Sequence, residues 1–178
     1  ALLRNGVVFR NCKFDKADFT SLRVEDLELQ NCSLNQADFT NSVCQGLLAV
    51  DCTFEEASFE KADIREAELL NCVCTSASFR GAKLNLSRMV NCDLSLCNFE
   101  GANLFGADLS GSRLRGVDLT EAKLDAVKVD TRTLAWHLYA SRRSNSRSWS
   151  GSTLPKPTLR DATSRRPHST AATSPAPS

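Results

Sequence analysis

Thiolates bind soft metals and attack electrophiles, so the eight cysteines are the first residues in this chain to suggest chemistry. Five of them stand twenty residues apart, at Cys12, Cys32, Cys52, Cys72 and Cys92, each preceded by Asn or Asp (Asn11, Asn31, Asp51, Asn71, Asn91). A structural zinc site needs about four ligands converging on one point. An evenly spaced column of thiols along one wall offers neighbours in a line instead, and the chain has no C-x-x-C. Disulfides between stacked neighbours would have an acceptable Cα separation, but parallel side-chain vectors oppose the required torsion. The expectation is that cysteine fills a small, buried, slightly polarisable position. Free thiols in this number point to a reducing compartment and so to a cytoplasmic location. The preceding Asn/Asp column suits corners, where stacked amides form a hydrogen-bonded ladder.

No other residues assemble a reaction centre. The two histidines are His137 and His168, and neither has a partner nucleophile in the repeating part of the chain. Gly101, Gly106, Gly111 and Gly116 recur every five residues, which marks corners rather than a phosphate cradle. Catalytic residues, a metal and a cofactor are therefore not expected, and the chain is read as non-enzymatic.

The cysteine interval belongs to a wider pattern. Phe19, Phe39, Phe59, Phe79 and Phe99 repeat it, and inside it runs a finer period of five. Every fifth residue from Phe9 to Val129 is apolar without a slip: Phe9, Phe14, Phe19, Val24, Leu29 and so on, with Ala49 and Cys44 as the small members. Two residues before most centres stands a small residue such as Ala17, Ala37, Ala57, Ala77 or a column cysteine. The unit is small–polar–large–polar–polar, repeated about 25 times. On an α-helix, steps of five at about 100° per residue scatter the apolar centres around the cylinder, so no core forms. On a strand the small and large residues share one face, and the two polar residues that follow require a corner. Recurrence at twenty rather than fifteen predicts four sides per coil, with like residues stacked about 4.8 Å apart.

This pattern resembles the pentapeptide-repeat family, whose unit is Ala-Asp/Asn-Leu-X-X. Ala17-Asp18-Phe19, Ala37-Asp38-Phe39, Ala102-Asn103-Leu104 and Ala107-Asp108-Leu109 carry the resemblance, which covers roughly residues 7–131. It implies an all-β, right-handed, four-sided parallel β-helix of about six coils. It implies no particular activity, because the family hosts many roles.

Charge divides the chain. Residues 1–139 hold 15 Lys and Arg against 20 Asp and Glu, whereas residues 140–178 hold seven against the single Asp161. The expected organisation is a β-helix over 1–130, a capping helix over 131–141 and a disordered basic Ser/Pro/Arg-rich tail over 142–178. Asp130-Thr131 can cap that helix, and Leu134 and Leu138 can cover the last coil with Trp136 or Tyr139 at the rim. Leu2 and Leu3 are the only cover at the other end. The chain opens on Ala1 rather than Met and is in register by Val7, so further sequence upstream is expected. No run approaches a membrane span.

Outward positions carry the functional lead. Val50, Leu70 and Val90 form an apolar column at twenty-residue spacing, with Leu48 beside Val50 and Val8 further up. Leu86, Leu96 and Phe105 are further apolar residues at places that are otherwise polar. A contiguous apolar column marks an interaction site. The expected function is a rigid scaffold that binds a protein partner, or a second copy, through Leu48, Val50, Leu70, Val90, Leu86, Leu96 and Phe105. The alternative, implied by the resemblance, is a DNA mimic that binds DNA gyrase, as in the quinolone-resistance branch. Lys13, Arg23, Lys83, Arg88, Arg113 and Arg115 dilute the acidic body and weigh against it. Nucleic acid is not an expected partner, since the basic tail lacks interleaved aromatics and a lysine block.

Overall fold

The structure is a computed structural model that describes residues 6–131 and Thr133. One side of the coil carries regular strands: β1 (Val8–Arg10), β2 (Glu28–Gln30), β3 (Leu48–Val50), β4 (Glu68–Leu70) and β5 (Arg88–Val90). They pair in parallel in chain order. The register steps by twenty, so that Phe9 lies beside Leu29, Leu29 beside Ala49, Ala49 beside Leu69 and Leu69 beside Met89. The remaining three sides pair through single bridges at the same step, beginning Lys13–Ser33, Asp18–Asp38 and Arg23–Val43. The fold is the expected four-sided parallel β-solenoid. Thr131 and Thr133 are helical, and the Asp130 carboxylate accepts the N–H of Thr133 at 2.8 Å. Leu2, Leu3, both histidines, the tail and the other residues of the capping helix expected over 131–141 lie outside the described residues.

Corners explain the period of five. Every fifth residue from Gly6 to Ala126 is left-handed, with φ between 51° and 74°. At three of the four corners the carbonyl of the apolar centre accepts the N–H three residues on, as from Ala17 to Phe14 (3.0 Å), Leu22 to Phe19 (3.1 Å) and Leu47 to Cys44 (3.2 Å). A turn in which only the second central residue is left-handed is type II. Outside glycine that conformation costs about 1–2 kcal/mol per residue, least for Asn and Asp. Asn11, Asn31, Asp51, Asn71 and Asn91 all occupy it, which accounts for their column. Their side chains continue the pairing, with Asn31 donating to Asn11 at 2.6 Å and Asn71 to Asp51 at 3.1 Å. The Asp or Asn ahead of a centre accepts the N–H two residues on, as Asp38 does from Thr40 (2.8 Å) and Asn98 from Glu100 (2.8 Å).

The fourth corner, after β1–β5, is built through sulfur. The N–H of Cys12 donates to Sγ of Cys32 (3.4 Å), and that thiol donates to the carbonyl of Phe9 (3.5 Å). One coil on, Cys32 N–H meets Cys52 Sγ (3.4 Å) and Cys52 reaches the Leu29 carbonyl (3.5 Å). Cys72 donates to Ala49 (3.4 Å) and Cys92 to Leu69 (3.2 Å). Where the cysteine column ends, hydroxyls take over: Ser112 receives the Cys92 N–H (2.9 Å) and donates to the Met89 carbonyl (2.6 Å). Thr133 then donates to the Leu109 carbonyl (3.4 Å). Cysteine is thus more than filler. The thiols of Cys32 and Cys52 each accept a backbone N–H of the coil before, and those of Cys32, Cys52, Cys72 and Cys92 add a contact to a carbonyl there.

Inside, like residues stack. Phe39, Phe59, Phe79 and Phe99 are sealed from solvent, with successive centroids 4.8, 5.0 and 4.8 Å apart and ring planes within 7°. Phe54 meets Phe59 edge-on at 5.5 Å. Such pairs add about 0.5–1.5 kcal/mol beyond area burial. Burial raises the Cys44 thiol to about 11, against a smaller opposing pull from the Ser42 hydroxyl, and raises Cys97 to about 12.

Three outcomes follow from the corner and the thiols. Cys52→Ala strips the partner from the buried Cys32 N–H, so it should lower stability by about 1–3 kcal/mol. Cys52→Ser should recover much of that in denaturant titrations, and equal losses in both variants would refute the bridging role. Raised thiol pKa values add stability that is complete below the unfolded thiol value of about 8.5 and is lost as pH climbs toward the folded values. The unfolding midpoint should therefore fall between about pH 8.5 and 11. At pH 8 only the half-buried Cys12 of the eight should react quickly with a thiol reagent.

Candidate functional site

Outward side chains on the β1–β5 side form two columns. One runs Val8, Glu28, Leu48, Glu68, Arg88, and the other Arg10, Gln30, Val50, Leu70, Val90. Val50, Leu70 and Val90 are successive ladder partners and so touch in a line, with Leu48 across the strand from Val50. All four are half-buried, because each is covered above and below by its stacked neighbours. Arg10 pairs with Gln30 (2.8 Å) and Arg88 with Glu68 (2.8 Å), leaving the apolar line bounded by paired polar groups.

Leu86 and Phe105 lie at the corner that leads into this side. The N–H of Leu86 donates to the Phe105 carbonyl at 2.8 Å, which places the two residues on adjacent coils. Both are open to solvent, at 56% and 49%. Leu86 is left-handed at φ 59°, and its Cδ2 lies 2.7 Å from where a Cβ on Gly106 would stand. Glycine at 106 is what lets the leucine lie flat along the rod beside Phe105. Leu96 has the same build over Gly116, at φ 63° and 59% exposure. It stands ten residues, half a coil, from Leu86 and so occupies the diagonally opposite corner. The structure groups Leu48, Val50, Leu70, Val90, Leu86 and Phe105 around one side and leaves Leu96 apart.

A charge cluster escaped the sequence reading. Asp63, only 8% exposed, receives Arg65 through Nε (2.7 Å) and Nη2 (3.0 Å), and Lys83 at 3.2 Å. Burial pushes its carboxyl up, but the hydrogen bonds and charges of Arg65 and Lys83 together bring it below the usual carboxylate range. A carboxylate held ionised in this way is a poor proton donor. Its signal in the sequence was the twenty-residue spacing of Asp63 and Lys83. Among the described residues no three His, Cys, Asp or Glu side chains gather at one point, and no helix is long and apolar enough to cross a membrane.

Residues 57–95 and 97–129 match the family model for pentapeptide repeats, in eight copies. No curated protein sequence matches the chain. Among solved structures it is similar to trypsin-treated QnrB1, a plasmid-mediated fluoroquinolone resistance protein, at 17% identity and a TM-score of 0.45, covering 76% of this chain and 93% of that one. It is similar to a pentapeptide repeat protein of the Arabidopsis thaliana thylakoid lumen at 19% identity and a TM-score of 0.37, covering 74% and 77%. A third is HetL of Nostoc, involved in heterocyst differentiation regulation, at 18% identity and a TM-score of 0.25, covering 70% and 85%. Five-residue units that each end on a left-handed corner, stacked at twenty-residue register and matched by the repeat model, mark residues 57–95 and 97–129 as pentapeptide repeats, and the same register runs through the other described coils.

Proposed function

We propose that the rod is a non-enzymatic interaction module that engages a protein partner through the β1–β5 side. Leu48, Val50, Leu70 and Val90 form the centre of that surface, and Leu86 and Phe105 extend it around the adjoining corner. The observation that carries this reading is the unbroken contact line Val50–Leu70–Val90 on a wall whose other outward residues are mostly polar or charged. Apolar groups in a row lose water together, whereas scattered ones do not form a patch.

Strain supports the corner's part in it. A leucine held left-handed and half open to solvent contributes little to the fold and costs about 1–2 kcal/mol relative to a relaxed backbone. Left-handed asparagine serves the neighbouring corner at lower cost. Leu86→Asn should therefore raise stability by about 0.5 kcal/mol and at the same time weaken partner capture. A loss of stability would show that Leu86 is structural.

The gyrase-mimic reading is the weaker of the two, because several of the acids it would display are paired with bases on the wall. Glu68, Asp93 and Glu100 are held by Arg88 (2.8 Å), Arg113 (3.3 Å) and Arg80 (3.1 Å), each one coil away. Purified protein should leave gyrase supercoiling unchanged at micromolar concentration.

The direct test of the interface is the double variant Leu70→Glu/Val90→Glu. Both residues point outward, so the rod should keep its circular dichroism while losing partner capture or self-association. The unfolding midpoint should be lowered only by the two carboxylates facing each other across the ladder. Unchanged behaviour in pull-down and sedimentation would overturn the proposal.

A further inference from the structure

The apolar column has a near neighbour in the chain itself. Asp130 follows Val129 and so continues the outward line Val50, Leu70, Val90, Ser110, two coils below Val90. Its carboxylate holds Thr133, and the Thr133 hydroxyl is tied back to the Leu109 carbonyl. The chain therefore leaves the stack at the foot of the apolar column. At about 4.8 Å per coil, Val90 lies about 10 Å above that point and Leu70 about 14 Å.

Fifteen residues separate Thr133 from Trp149, which makes sixteen Cα steps. They span about 24 Å if helical and about 50 Å if extended, and either is ample. From Ser141 onward the large apolar residues are Trp149, Leu154 and Leu159 alone. Arg142, Arg143 and Arg147 come just before Trp149, while Asp51 lies at the corner that follows Val50. Charge also runs the right way overall, with seven basic residues against one acid over 140–178 facing a body of 15 against 20. Opposite charge steers such a segment toward the rod, and tryptophan supplies a large apolar anchor.

We propose that residues 142–159 dock back along this side, with Trp149 seated over Leu70 and Val90. The segment is then an intramolecular competitor that a partner must displace. This rests on the reading of the column as a docking surface and gives that surface a resident occupant. An intramolecular ligand acts at high effective concentration, so even a weak contact lowers apparent partner affinity.

Tryptophan fluorescence of the full chain tests it. In Trp136→Phe the remaining tryptophan is Trp149, and the difference spectrum between the unaltered chain and Trp149→Phe reports the same residue without touching Trp136. Docking predicts blue-shifted emission and acrylamide quenching several-fold weaker than in denaturant. Both should be lost when Leu70→Glu/Val90→Glu is added, and removal of residues 142–178 should tighten partner capture. Emission like that of the denatured chain overturns the proposal, as does emission indifferent to the double variant. A blue shift that disappears on dilution assigns the docking to a second copy and overturns the intramolecular form. If Trp149 is exposed yet the double variant still abolishes partner capture, the interaction surface stands and its resident occupant falls. If Trp149 is docked yet capture is untouched by the double variant, the reverse holds.

Discussion

The rest of the structure depends on one constraint: every coil must contain the same number of residues. Coils are joined by a parallel backbone ladder whose partners are always twenty apart, from Val8–Glu28 to Asp108–Lys128. Insertion of a single residue would exchange inward and outward positions along the sides that follow. Equal coils place like positions directly over one another, so each column must tolerate its own neighbours at strand spacing. Phenylalanine does so by stacking. Several charged residues do so by opposing sign along a column, as in Asp63–Lys83, Glu68–Arg88 and Asp93–Arg113, although Asp18 stands beside Asp38. Opposed charges across a ladder stabilise it and like charges weaken it, so the wall is neutralised where such pairs stand.

The sulfur corner shows how one side departs from the other three. A type II turn satisfies its own carbonyl, but the β1–β5 side carries its strand one residue further and closes without that bond. The N–H left over at that corner faces the next coil's small inward position. Alanine there has nothing to offer. A thiol accepts it and suffers little from burial, as Cys32 and Cys52 show, and a hydroxyl does the same at shorter range, as Ser112 shows. The cysteine column therefore marks the one corner whose backbone cannot satisfy itself.

Much of this was legible from spacing alone. The apolar centres, the small inward places, the four sides and the outward line Val50–Leu70–Val90 follow from counting by five and twenty, because a ladder of fixed register converts spacing directly into position. Counting also separates Leu86 from Leu96, since ten residues is half a coil, although their shared composition suggested a shared role. The role of the cysteine thiols was hidden, because size and hydrogen bonding favour the same residue at that place and only distances distinguish them. The Asp63 cluster was hidden as well. Asp63 is a bridge residue and Arg65 lies in the turn just after it, and the joint approach of Arg65 and Lys83 to Asp63 depends on side-chain direction, which spacing does not carry.

Stacked neutralisation bears on what the wall can recognise. A carboxylate with a guanidinium about 3 Å away presents a dipole to its surroundings, and at physiological salt even a lone charge is screened within about 8 Å. A partner sensitive mainly to summed charge would gain little from the sides that carry these pairs. The apolar line on the β1–β5 side has no such cancellation, because dispersion and dehydration add along a column where paired charges subtract. The flatness that makes charge recognition weak makes apolar recognition possible: a row of side chains at strand spacing offers an even surface to another flat element. On the proposed reading, the fold itself moves recognition from charge to shape. Specificity then resides in the few outward places where the polar rule of the repeat is broken.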